Sequence, residues 1–130
     1  MLFRSGRMKD EKKRDLGLRT RSYALAVIGL YGSLPKSVVA QVLGRQLLRS
    51  GTSVGAHYRE ARRGKSVADF VSKIEGLLQE LDESAYWMDL LHEAKVMKSS
   101  TVIPLMAETE ELMSIFVTVA KQAKLKMPKR

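Results

Sequence analysis

Four stretches of the chain repeat apolar residues every three or four positions, and none alternates apolar and polar residues. The first carries Tyr23, Ala26, Val27, Leu30 and Leu34. The second carries Val39, Leu43, Leu47, Val54, Tyr58 and Ala61. The third carries Val67, Val71, Ile74, Leu78, Leu81, Ala85, Met88 and Leu91, and the fourth Val102, Met106, Leu112, Met113, Phe116, Val119 and Ala123. Such spacing predicts core-facing helices, and the missing period of two argues against strands. Short connections between long helices favour antiparallel neighbours. The predicted fold is therefore all-α, an up-down-up-down four-helix bundle over residues 16–125, between a basic flexible tail at 1–15 and a basic tail at 126–130.

The borders carry start and stop chemistry. Pro35 is expected to open the second helix, where a missing amide hydrogen costs nothing. Ser66 with Asp69 three residues on reads as a capping box for the third. That helix is expected from Ser66 to Met97, roughly 45 Å at ~1.5 Å per residue. One of Ser99, Ser100 or Thr101 is expected to cap the fourth, with Pro104 in its first turn.

The apolar stripes are wider than one core needs. Leu25 and Ile28, Val38 and Val42, and Ile115 and Val117 lie off the inward lines. Surplus apolar faces on a small bundle point to subunit contacts, hence a homo-oligomer.

The stretch "LLRSGTSVGAHYREARRG", Leu47 to Gly64, interrupts an amphipathic pattern with Ser50, Gly51, Thr52, Ser53 and Gly55. Val54, Tyr58 and Ala61 continue the inward line, so it reads as helix rather than loop. Gly51 and Gly55, four apart, let another helix approach closely, which offsets a cost of up to ~1 kcal/mol per glycine. Ser50 and Ser53 can bond back to the preceding turn or toward nearby arginines. Folding the second and third helices about Gly64 sets Arg49 level with Glu80 and Arg45 level with Glu83. These four residues are expected to form structural ion pairs that set helix register rather than stability.

Charge adds the functional signal. The 130 residues hold 23 Lys and Arg against 14 Asp and Glu, a net charge of +9. The third helix is acidic, with two lysines against seven acids from Ser66 to Met97. The up-down topology gathers Arg59, Arg62, Arg63 and Lys65 with Arg19 and Arg21 at one pole, beside Lys121, Lys124 and Lys126. Arg4, Arg7, Lys9, Lys12, Lys13 and Arg14 precede them, and Lys129 and Arg130 follow. The opposite pole offers Lys36, Lys95 and Lys98. Helix dipoles account for cations near Arg62 and Lys121 but not for a dozen. A basic pole of this kind suits phosphate contact with RNA or DNA.

Other chemistry is thinly represented. The sequence has no cysteine, which excludes disulfides, thiol nucleophiles and cysteine-based zinc sites. A signal peptide is not expected from "MLFRSGRMKDEKKRD", and the apolar run Ala24 to Tyr31 is too short to span a bilayer, so a cytoplasmic protein without membrane contact is expected. Asp89-x-x-His92 resembles half of a di-iron bundle site, but Glu60 and the acids from Glu108 onward do not complete it, so no metal or other cofactor is expected. Glu80, Glu83 and Tyr86 could exchange protons, yet no nucleophile or oxyanion donor accompanies them. No phosphate-binding glycine loop or Ser-His-Asp order appears. Tyr86 and Trp87 read as packing or subunit-contact residues, and no enzymatic activity is expected.

"RTRSYALAVIGLYGSLPK" and "LLRSGTSVGA-YREA", followed by "DF" and "ESAYW", resemble a bacterial four-helix-bundle family first met as proteins encoded in intervening sequences of 23S ribosomal RNA genes. The resemblance runs from about Leu16 to Lys124 and is strongest over Val42 to Leu91. The family commonly has asparagine where this chain has His57. The resemblance implies a left-handed bundle that often assembles as a homopentamer. Some relatives, the accessory variability determinants of diversity-generating retroelements, are basic, bind RNA or DNA and associate with a reverse transcriptase without being catalytic. The expected function is thus non-enzymatic nucleic-acid binding by an oligomer through Arg19, Arg21, Arg59, Arg62, Arg63, Lys65, Lys121, Lys124 and Lys126. The alternative is a protein-interaction scaffold of the same family.

Overall fold

A computed structural model describes residues 15–128. The basic residues expected to flank the bundle, from Arg4 to Arg14 and at Lys129 and Arg130, lie outside them. Four helices form the described part: α1 (Leu16–Gly32), α2 (Val38–Arg62), α3 (Val67–Glu93) and α4 (Ser99–Lys124). Each packs on its chain neighbours, and α1 closes the ring against α4. Residue pairs across the α2–α3 and α1–α2 seams run in opposite directions: Arg49 meets Glu80 where Glu60 meets Lys73, and Gly51 meets Val27 where Gly17 meets Tyr58. This is an up-down-up-down four-helix bundle.

The helix borders refine the expectations. Ser66 caps α3 by accepting a hydrogen bond from the Asp69 amide, and the Asp69 carboxylate accepts from the Lys65 amide. Pro35 does not open α2. Ser37 caps it, accepting from the Ala40 amide at 3.2 Å, while the Pro35 carbonyl accepts from the Gln41 side chain. A hydroxyl that can bond the N3 amide outcompetes a proline that can only omit one donor.

Helix α3 stops at Glu93 rather than Met97 because Lys95 adopts φ 59°. The Lys95 amide then reaches the His92 carbonyl and the Val96 amide the Leu91 carbonyl, closing a Schellman turn on a residue with a Cβ. None of Ser99, Ser100 and Thr101 caps α4. Lys98 takes that position without a side-chain bond, Ser99 turns to His92, and Pro104 falls past the first turn.

The core is a column of Val27, Leu47, Val54, Ile74, Leu77, Leu81, Met88, Leu91, Leu112 and Phe116, all sealed from solvent. On α2 the inward line runs through Ala40, Gly44 and Leu47, which leaves Val39 exposed; Ala26 of α1 is also exposed. The bulk comes from Tyr31 of α1 and from Leu34 in the connection after it, both of which lie against Gly44. Gly51 has the same job: a Cβ there would stand 2.7 Å from Val27 Cγ2. Gly55 does not share it, since a Cβ there would meet Thr20 at an ordinary 3.5 Å. On the other side of α2, His57 lies against Gly76 of α3, and its Nδ1 is 3.1 Å from the Ser53 carbonyl oxygen.

Hydroxyl groups cross this apolar column at one level. Ser50 of α2 and Ser84 of α3 lie 2.8 Å apart, and Tyr23 of α1 and Thr109 of α4 lie 2.7 Å apart. All four are buried, so each helix contributes one hydroxyl to a polar layer. Outside, Leu25, Ile28, Val38 and Val42 are exposed as expected, Val117 is partly so, and Ile115 is half-buried.

Candidate functional site

The last turn of α2 places Arg59 and Arg63 four residues apart, hence on one face, with Arg62 beside them. That face looks toward the start of α1, where Gly17, Thr20 and Ala24 are small. A groove of about 750 Å³ opens between the two helices. Arg21, Arg59, Arg62 and Arg63 line it over a lining of small residues that includes Gly55 and Ala56. No carboxylate lines it among the described residues, and none of these four arginines has an ion-pair partner there. Four unneutralised guanidinium groups around one depression focus a positive potential into it. The C-terminal end of α2 offsets part of their mutual repulsion. The Arg62 guanidinium also sits 6.0 Å from the centre of the Tyr58 ring, and burial pushes the Tyr58 phenol up from its ordinary range while the nearby Arg62 charge pulls it down.

A second cavity, of about 530 Å³, lies at the end of the bundle on the other side of Arg62. Arg62, Lys65 and Lys126 are its cations, and Leu16, Phe70 and Val119 are among its apolar lining. Lys121 is exposed one turn before the end of α4.

Two residues expected at this pole are committed elsewhere. Arg19 turns to α4, donating to both oxygens of Glu108 at 2.8 Å and meeting Glu111 at 3.2 Å. The Glu108 hydrogen bonds hold the guanidinium more firmly protonated than usual, against the opposing effect of its burial. Lys124 meets Glu75 of α3 at 2.8 Å. Neither partner was legible from the sequence around the cation.

The pairing between α2 and α3 also departs from expectation. Arg49 alone bridges Glu80 and Glu83, at 3.4 Å to the first. Arg45 is exposed and carries no ion pair among the described residues. Ser50 reaches Ser84, and Ser53 bonds back to the Arg49 carbonyl.

Asp89 is exposed, and His92 Nε2 is 2.9 Å from the Ser99 hydroxyl. Among the described residues no three His, Asp or Glu side chains are placed to hold a metal ion. Nor is any described helix long and apolar enough to cross a membrane. Tyr86 and Trp87 stack obliquely with ring centres 5.1 Å apart, and the Trp87 indole nitrogen is buried without a hydrogen-bond partner. A further sequence signal for the groove is on α1, where Gly17 and Ala24 bracket Arg21 on a single helix face.

These features define the class: a four-helix bundle with a polar layer in its core and an arginine-lined groove near one end. The chain belongs to the 23S rRNA-intervening sequence protein family, whose model matches residues 14–118. It is similar in structure to a crystallised protein of unknown function from the S23 ribosomal protein family of Bacteroides thetaiotaomicron. The TM-score is 0.79 at 29% identity, over 85% of this chain and 98% of that one. No curated protein matches the chain.

Proposed function

We propose that this protein is a non-enzymatic, oligomeric nucleic-acid-binding bundle whose basic end contacts phosphates without reading base sequence. The observation that carries this reading is the groove between α1 and α2. Arg21, Arg59, Arg62 and Arg63 line it with no carboxylate among the described lining residues, while Arg19, Arg49, Lys73 and Lys124 are each paired with acids. Guanidinium groups without an ion-pair partner among the described residues are donors to phosphate oxygens, which accept. Lys65, Lys121 and Lys126 extend the same end.

Exposed Leu25, Ile28, Val38 and Val42 support self-association, and a ring of parallel subunits, five by the resemblance, would gather the basic ends on one face. In this reading a retroelement reverse transcriptase is the protein partner to test first. The experiment is fluorescence anisotropy of the purified protein with structured RNA and with duplex DNA across a salt series. Four phosphate contacts give a slope of roughly −3.6 in log affinity against log salt for duplex DNA. Failure to bind either nucleic acid at low salt would defeat the reading.

The exposed cluster of Val38, Val39 and Val42 favours a second reading, a protein-docking scaffold. A partner recovered equally well after nuclease treatment would support it.

A further inference from the structure

Resting on the nucleic-acid reading, we infer that the cavity at the end of the bundle accepts one unpaired nucleobase, so that the protein selects nucleic acid with a single-stranded end or bulge over continuous duplex. The cavity and the arginine groove share Arg62, which lines both. They differ in chemistry. The groove is lined by arginines, small residues and Leu18, with no aromatic side chain among the described residues. It suits a sugar–phosphate backbone. The end cavity adds an apolar surface, with half-buried Phe70, Leu16 and Val119 in its lining, to the cations Arg62, Lys65 and Lys126. No carboxylate lines it among the described residues.

A flat apolar body carrying a phosphate is the ligand that such a surface recognises. The base loses water against Phe70 while its phosphate meets these cations. A volume of about 530 Å³ lies within the usual range of ligand pockets and exceeds what one base needs. A base stacked inside a duplex cannot enter it without being extruded, which costs unstacking energy. An overhanging or bulged base is already free. A strand whose backbone follows Arg21, Arg59 and Arg63 along the groove therefore delivers its unpaired end to the cavity past Arg62.

The test compares three fluorescein-labelled RNAs with the full-length protein at one salt concentration. The first is a blunt duplex, the second the same duplex with a four-adenosine overhang, and the third the same overhang built from abasic riboses. The second and third carry equal numbers of phosphates. Base capture makes the adenosine overhang bind at least about fivefold tighter than the abasic one. Phe70→Ala is expected to remove that gain while leaving the abasic affinity in place. The wild-type comparison needs no variant, so a folding defect in Phe70→Ala does not blunt it. Equal affinity for the adenosine and abasic overhangs would overturn the cavity's role while leaving the phosphate reading intact. No binding of any of the three at low salt would overturn both the cavity's role and RNA contact by the groove.

Discussion

The Tyr23 hydroxyl of α1 lies 2.7 Å from the Thr109 hydroxyl of α4, inside a core built mainly from apolar side chains. Thr109 also donates to the Leu105 carbonyl at 2.8 Å, which makes Tyr23 the donor between the two hydroxyls. With Ser50 and Ser84 at the same level, this bond ties the first helix to the last.

Deleting one member strands the other. Thr109→Val leaves the Tyr23 hydroxyl buried without its acceptor and is expected to cost about 1–3 kcal/mol. Tyr23→Phe combined with Thr109→Val should cost less than the sum of the single changes. A urea-denaturation double-mutant cycle measures that coupling. Simple additivity would show that the two hydroxyls act independently.

Burial pushes the Tyr23 phenol above its ordinary range, against its hydrogen bonding with Thr109 and Ser84, with Glu108 adding to the rise. The folded state therefore keeps the proton where the unfolded chain releases it. Stability from this group is complete below pH about 10 and is lost as pH rises beyond that value. Tyr23→Phe should flatten the alkaline limb of a stability–pH curve, and an unchanged limb would remove Tyr23 as its cause.

Two glycines four residues apart should respond oppositely to alanine. Gly51→Ala drives a methyl into Val27 and is expected to lose about 1–3 kcal/mol through overpacking. Gly55→Ala makes only ordinary contact with Thr20 and should gain up to about 1 kcal/mol from helix propensity. Thermal melts of the two variants give both signs directly.

Lys95 ends α3 at φ 59°, where a Cβ is crowded against the carbonyl. Lys95→Gly is expected to stabilise the fold by about 0.5–1 kcal/mol. A lower melting midpoint would mean that the lysine side chain contributes something beyond its backbone.

Arginines at the basic end should separate by partner. Arg59, Arg62 and Arg63 changed together to Glu are expected to abolish nucleic-acid binding with the helical circular dichroism unchanged. Arg19→Ala should instead cost about 1–2 kcal/mol of stability, through its charge-assisted bonds to Glu108, and leave binding nearly intact. Unaltered affinity in the triple variant would refute the groove as the contact surface.

The sequence alone determined the helical class, the antiparallel order and the cap of α3. Each rests on local rules: apolar spacing of three and four, short connections, and Ser66 three residues before Asp69. It also determined that cations crowd one end, because up-down topology sends the end of α2 and the start of α1 to the same pole. Tertiary structure decided which of those cations remain open to a ligand. Arg19 and Arg21 read alike in the sequence, two residues apart, yet a rotation of about 200° along the helix turns one to Glu108 and the other to the groove. The same holds for the core layer, where four ordinary polar residues from four helices meet at one height. Both outcomes depend on helix rotation and register across seams such as the one that joins Arg19 to Glu108, 89 positions away. Local periodicity does not encode those quantities; close packing between helices, such as that of Val27 on Gly51 and of His57 on Gly76, sets them.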